Sequence, residues 1–339
     1  MCTIAAYALL AVLRRVHGPT GTAATVVCLL ITVLIAAGLG LFGHATILWV
    51  QKWLTWVFGG LTLVVTAFLG ARLDWAAALH RPAGPPVAVL SGAAFIAAGT
   101  GVGWLSAGAD YARYLPRTVR PSRVAGATVL GAVVPLLVLV PLGALMATGD
   151  PTLAGAGDPV AAIGAALPGW MLVPYLLTAV FGLIAAADLS MYSSGLNLIA
   201  GGLRVPRAAA VGVDAVLITA GGLYITVVAQ NFFGPFTAFL TLLAVPLTAW
   251  AAVVLVDMLS RRTYDPAALI DTARGGGYWY TGGVRIPALA SWLIAVALGL
   301  LVGSGLGHPS LGWLVAGVTG AILAALKARP APVRELAHD

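Results

Sequence analysis

Ala97-Ala98-Gly99-Thr100-Gly101-Val102-Gly103-Trp104 sets three glycines at alternate positions inside an apolar run. Each interior glycine costs a helix about 1 kcal/mol against alanine, so the stretch reads as a membrane helix with a break built into it. In lipid, unwound backbone persists only where it is buried in protein or lines a cavity. Carriers use such breaks near the bilayer midplane to bind polar solutes through backbone groups and half-helix dipoles, without charged side chains. Close helix packing through small residues is the competing reading. Gly101 and Gly103 are the candidate backbone positions, and Trp104 offers a ring face for stacking on a flat heterocycle.

Around this stretch lie nine apolar runs long enough to span a membrane, at roughly residues 24–42, 47–71, 87–109, 124–148, 170–203, 208–229, 235–258, 286–304 and 309–326. A hydrocarbon core of about 30 Å needs about 20 apolar residues of helix. Residues 1–16 make a partial tenth run, read as a clipped membrane helix because Arg14 and Arg15 follow the apolar stretch where a signal peptide carries its basic residues first. Of the 339 residues, 60% are hydrophobic and 9% charged, with a mean hydropathy of +1.00. Soluble domains carry about a quarter charged residues, so the partner of this surface is the lipid bilayer. The runs lack the strict alternation of barrel strands, which leaves an all-α integral membrane fold.

The formal charge of +7 does not point to nucleic acid, since the basic residues occupy short gaps and form no stripe with interleaved aromatics. They read as topology signals. Arg113, Arg117, Arg120 and Arg123, then Arg204 and Arg207, then Arg261, Arg262, Arg274 and Arg285, then Lys327, Arg329 and Arg334 fall in every second gap. With Lys52 they place 14 of the 18 basic residues on one side. That side is expected to be cytoplasmic, and the C-terminus with it. The opposite gap at 149–169 contains a stretch, Asp158 to Leu167, that reads either as a short amphipathic helix over a pore mouth or as an ordinary loop.

Asp188 stands out because apolar sequence from Leu176 to Ala187 precedes it. An ionisable residue within a membrane span is a functional candidate by default, usually facing a cavity or a partner. Solute or proton binding is the sharper reading and a structural hydrogen bond to another helix the plainer one. Helical spacing puts Asp188, Met191 and Tyr192 on one face better than Asp188 with the following serines. Asp110 precedes Arg113 by three residues, a spacing for an intrahelical ion pair of structural or gating use. Asp214 and Asp257 read as structural, the latter four residues before Arg261. Cys2 and Cys28 make no framework, the five histidines have no metal-ligand spacing, and no enzyme constellation appears. Pro135, Pro141, Pro174 and Pro246 fall inside apolar runs as candidate kinks.

Gly103-Trp104 followed by Ala109-Asp110-Tyr111-Ala112-Arg113-Tyr114-Leu115-Pro116 resembles a signature of the nucleobase:cation symporter family, which includes purine and cytosine permeases. Asp188 to Gly195 (DLSMYSSG) is similar to that family's eighth helix. Asn231 to Phe236 (NFFGPF), with Pro246 and Asp257, is similar to its tenth, and Arg261 to Asp265 (RRTYD) to the loop after it. The four pieces keep the family's order.

The resemblance implies a bundle of the leucine-transporter type, with two inverted five-helix repeats and solute held near the midplane. Counting helices back from these matches makes residues 24–42 the fourth helix, so the chain is expected to lack the first two helices and most of the third. It then reads as a single transmembrane transporter domain in which residues 1–71 are the remnant of the first repeat, 87–258 the second repeat with helices six to ten, 286–326 the last two helices and 327–339 a cytoplasmic tail. The solute contacts carried over are Gly101, Gly103 and Trp104 from helix six, and Gly182 and Asp188 from helix eight.

No cofactor is implied beyond a coupling ion, H+ or Na+, at Asp188, Ala185 and Ser190. A sodium site in this fold draws oxygens from helix eight, where Ile184-Ala185-Ala186-Ala187 has no hydroxyl, so a proton on Asp188 is the competing reading. The expected activity is cation-coupled import of cytosine, a purine or a related heterocycle across a bacterial cytoplasmic membrane. A symporter of the same fold for another solute and a non-transporting remnant or partner subunit are the rivals. The oligomeric state is left open by the sequence.

Overall fold

The computed structural model describes residues 1–327 apart from 43, 81, 83, 117, 154, 203, 230, 231, 262, 272, 307 and 308. Arg81, Arg117, Asn231, Arg262 and His308, and the tail 328–339 with Arg329, Arg334 and His338, therefore lie outside the described residues.

The apolar runs form helices as expected, since a chain in lipid satisfies its amides only within each segment. The α-helices are α1 (Cys2–Arg15), α2 (Thr22–Phe42), α3 (His44–Ala71), α4 (Trp75–Leu79), α5 (Pro86–Thr100), α6 (Gly108–Ala112), α7 (Pro121–Gly149), α8 (Pro159–Ala165), α9 (Gly169–Ala200), α10 (Arg207–Leu223), α11 (Phe233–Arg261), α12 (Pro266–Ile270), α13 (Ile286–Leu300) and α14 (Gly312–Lys327). Among the described residues eight helices are long and apolar enough to cross a membrane, and Gly312–Lys327 is a shorter apolar helix. The eight and the shorter one coincide with the nine runs. The four prolines named above lie within α7, α9 and α11, which continue through them.

Local chemistry explains the short elements. Asp158 caps α8, accepting from the amides of Val160 and Ala161 at 3.1 and 3.0 Å, so a short helix forms in that stretch, though Pro159–Ala165 carries no polar side chain of its own. Asp74 and Asp265 cap α4 and α12 in the same way. Tyr224–Ala229 and Leu301–Gly305 continue α10 and α13 as wider π-type turns, which the apolar pattern does not disclose.

The chain forms two compact units. One comprises Met1–Pro82 and Ala109–Pro235, the other Ala83–Gly108 and Phe236–Asp339. In the first unit, α1, α2, α9 and α10 share a core. Leu176, Val180, Ile184, Ala187 and Met191 form the buried stripe of α9, packed with Cys28, Leu29, Val33 and Ala36 of α2 and Val211 of α10. Intervals of three and four residues put these side chains on single helix faces. The flanking helices α3 and α7 leave most of their apolar surface exposed, which lipid tolerates without cover. In the second unit, Val245, Ala249, Ala295 and Ala316 are fully buried between α11, α13 and α14.

Candidate functional site

The buried stripe of α9 carries one carboxylate. Asp188 is 1% exposed, as are Met191 and Tyr192, so the three share one face as their spacing implies. Asp188 Oδ1 has no hydrogen-bond partner and lies 3.6 Å from the place a Cβ on Gly40 of α2 would occupy. That is ordinary van der Waals distance, so α2 runs directly alongside the carboxylate at Gly40. Arg207, at the first position of α10, donates from Nη2 to the Gly40 carbonyl at 2.6 Å and sits over the Tyr192 ring, 4.4 Å from its centroid.

A second layer comes from α6 and the turn after it. Tyr111 donates to the Leu189 carbonyl at 2.7 Å and accepts from Ser193 at 3.3 Å. Burial pushes the Tyr111 hydroxyl above its usual range. The Tyr114 and Tyr192 hydroxyls are 2.8 Å apart, and Arg113 donates to both, at 2.6 and 3.4 Å. The bond from Arg113 draws the Tyr114 hydroxyl below its usual range.

This corrects the expected Asp110–Arg113 pair. No ion pair joins them among the described residues, and the guanidinium goes to the tyrosines instead. The Arg113 amide still bonds to the Ala109 carbonyl at 3.0 Å, so the register is kept and the Tyr114 and Tyr192 hydroxyls decide the guanidinium's partner. Asp110 keeps a buried Oδ2 with no hydrogen-bond partner.

Other expected positions of α9 face elsewhere. Gly182 and Ser190 are exposed, and Ser190 donates back to the Ala186 carbonyl at 2.9 Å. The Ala185 carbonyl accepts from Gln51 of α3 at 2.9 Å. Asp214 of α10, read from the sequence as structural, accepts from Ser194 of α9 at 2.8 Å.

Gly101, Gly103 and Trp104 belong to the other unit. There α5 ends at Thr100, and Val102–Trp104 is a tighter 3₁₀ turn in which the Trp104 amide bonds to the Gly101 carbonyl at 3.0 Å. The break predicted from the glycines is present. Gly101 borders an apolar groove of about 590 Å³ with Ala97, Leu105, Thr248, Trp250 and Trp313 among its lining. The Thr248 Oγ1 is buried with no hydrogen-bond partner, Gly103 has open space where a Cβ would stand, and Trp104 is 42% exposed.

Residues 1–321 match a family described as permeases for cytosine/purines, uracil, thiamine and allantoin. The chain belongs to this family. No curated protein and no solved structure matches it. Family membership and the eight apolar helices make it a multi-pass membrane protein of a permease family.

Sequence reasoning passed over two residues that the structure brings to α9. Gln51 is an amide set within an apolar run, a signal of the same kind as Asp188 but weaker. Arg207 reads as a loop charge from sequence, and nothing in its spacing reports that it turns inward.

Proposed function

We infer that this permease is a secondary active importer of cytosine, a purine or a related heterocycle, working by alternating access and driven by protons taken up at Asp188. Its place in this reading is a bacterial cytoplasmic membrane, and the distribution of arginine and lysine supports a cytoplasmic C-terminus. The coupling rests chiefly on one observation: a carboxylate that is 1% exposed in a membrane-length helix, with Oδ1 unpartnered. A permanently charged group without a partner is expensive there, and a proton removes that expense.

Sodium is the weaker choice. The Ala185 carbonyl already accepts from Gln51, and Ser190 is exposed and bonded within its own helix. The solute part of the reading draws on the break after α5, where α-helical bonding gives way to a 3₁₀ turn over Val102–Trp104 and Trp104 stands at its end.

The test is uptake of radiolabelled cytosine by permease-deficient cells making this protein, with adenine, hypoxanthine, uracil and allantoin as competitors. Uptake is expected to rise in acidic medium, to ignore replacement of sodium by choline, and to fall at least about tenfold in Asp188→Asn. Sodium-dependent, pH-independent uptake overturns the proton. Absence of uptake and of competition, with the protein present in the membrane, overturns the solute class.

A further inference from the structure

Arg207 is on the wrong end of its helix. A cation in the first turn opposes the helix dipole, and a long basic side chain at a membrane helix end ordinarily reaches out to head groups and water. Here it reaches inward to the Gly40 carbonyl and the face of Tyr192. Its Nε is buried and has no hydrogen-bond partner. At the same glycine lies Asp188 Oδ1, also buried and also without a partner. An unsatisfied cationic donor and an unsatisfied acidic acceptor thus meet at one residue of α2.

We propose that Arg207 is the internal counter-cation of Asp188, resting on the Gly40 carbonyl while Asp188 holds a proton and moving to the carboxylate when the proton leaves. This rests on the reading of Asp188 as the proton carrier. The proton passes to water, and the charge left behind is met by a cation already inside the protein. No ion has to be drawn in from solution. Each departure of the proton frees Gly40, so the tie between the end of α2 and the start of α10 loosens and re-forms with the protonation cycle. Arg207 is in these terms a positioning residue.

The other groups around Asp188 do not supply this charge. Its own helix presents Tyr192; α6 and the turn after it present Asp110, an acid, Tyr111, Tyr114 and Arg113, whose guanidinium is engaged by the Tyr114 and Tyr192 hydroxyls; α2 and α3 present Gly40 and Gln51, which do not titrate. Asp214 of α10, an acid, accepts at Oδ1 from Ser194, six residues beyond Asp188, and keeps a buried Oδ2 without a partner. Cys2 of α1 is buried beside Thr32 of α2, and Asp158, the cap of α8, acts on Tyr7 and Tyr175, well before Asp188 on α9.

Hydrogen–deuterium exchange of the purified protein, corrected for intrinsic rates, reads the tie without solute or gradient. Exchange in the last turns of α2 and the first turns of α10 is expected to rise at least about fivefold from acidic to alkaline buffer. Asp188→Asn should be slow in both buffers, Arg207→Gln fast in both, and Arg207→Lys should keep the response. If Arg207→Gln does not fold, the neutral pair Asp188→Asn with Arg207→Gln replaces it and should be fast in both. An unchanged pH response in Arg207→Gln, or in Asp188→Asn, overturns the proposal. Proton-driven uptake together with such a result removes only the arginine's role. Sodium-driven uptake with the response intact removes the proton coupling and leaves the arginine's role standing.

Discussion

The Gln51 side chain donates from Nε2 to the Ala185 carbonyl at 2.9 Å, a polar tie between α3 and α9, which also stack Phe58 on Phe181 at 5.4 Å between ring centroids. Interhelical hydrogen bonds inside membranes contribute about 0.6 kcal/mol on average, with a maximum near 1.7. The Ala185 carbonyl keeps its helical partner when Gln51 is removed, so the loss is modest. Gln51→Leu should therefore lower stability in detergent by about 1 kcal/mol, read as a small fall in melting temperature. A melting curve that superimposes on the parent protein's would show the bond to be idle.

Gly299 and Gly312 bring α13 and α14 backbone to backbone: a Cβ on either would lie 2.6 Å from the other's carbonyl oxygen. Small residues in membrane helices serve such approaches. Gly299→Ala must push a backbone aside, as well as Ala316 and Val245 at 2.8 and 2.9 Å, and should cost about 1–3 kcal/mol. Gly131→Ala in α7 meets nothing within 4 Å and should be neutral or gain up to about 1 kcal/mol from a stiffer unfolded chain. Thermal melting of the pair checks the contrast, and equal shifts would refute the close approach.

The helices were legible because runs of about 20 apolar residues have one stable form in lipid, and the break after Thr100 because three alternate glycines weaken a helix locally. Both are properties of a segment by itself. Asp188 was legible for a related reason, since a carboxylate among apolar residues is conspicuous in one dimension. The partner of Arg113 was not, because the Tyr192 hydroxyl that joins Tyr114 in holding it comes from α9 and reaches it only through tertiary packing. Arg207 was hidden for a tertiary reason: only the approach of Gly40 and the face of Tyr192 turn it inward.

Gly103 separates packing from solute contact. A Cβ there meets nothing within 4 Å, so Gly103→Ala should reach the membrane in normal amount and melt as the parent does. If its backbone approaches the solute, uptake should nevertheless fall about fivefold or more through a raised KM. Trp104→Ala should also raise KM, and Trp104→Phe should recover part of the affinity by restoring a ring face. Normal uptake kinetics in Gly103→Ala and Trp104→Ala would return this turn to a purely structural role.

Asp257 gathers the end of α11 and the loop that follows. It accepts from Arg261 at 3.0 Å, from Tyr264 at 2.8 Å and from Arg285, while Arg261 also donates to Tyr280 at 2.8 Å. Burial, then the bond to the Asp257 carboxylate, pushes the Tyr264 hydroxyl up to about 12. An exposed tyrosine titrates near 10, so the unfolded chain loses this proton first and the folded protein becomes less stable as it does. The stability due to Tyr264 is thus complete below about pH 10 and is lost as pH rises toward 12. Tyr264→Phe, which has no proton to lose, should be less stable than the parent at neutral pH yet show a shallower decline across that alkaline window. Melting temperatures of the two proteins through the window decide it: parallel declines would mean that Tyr264 does not hold its proton against Asp257.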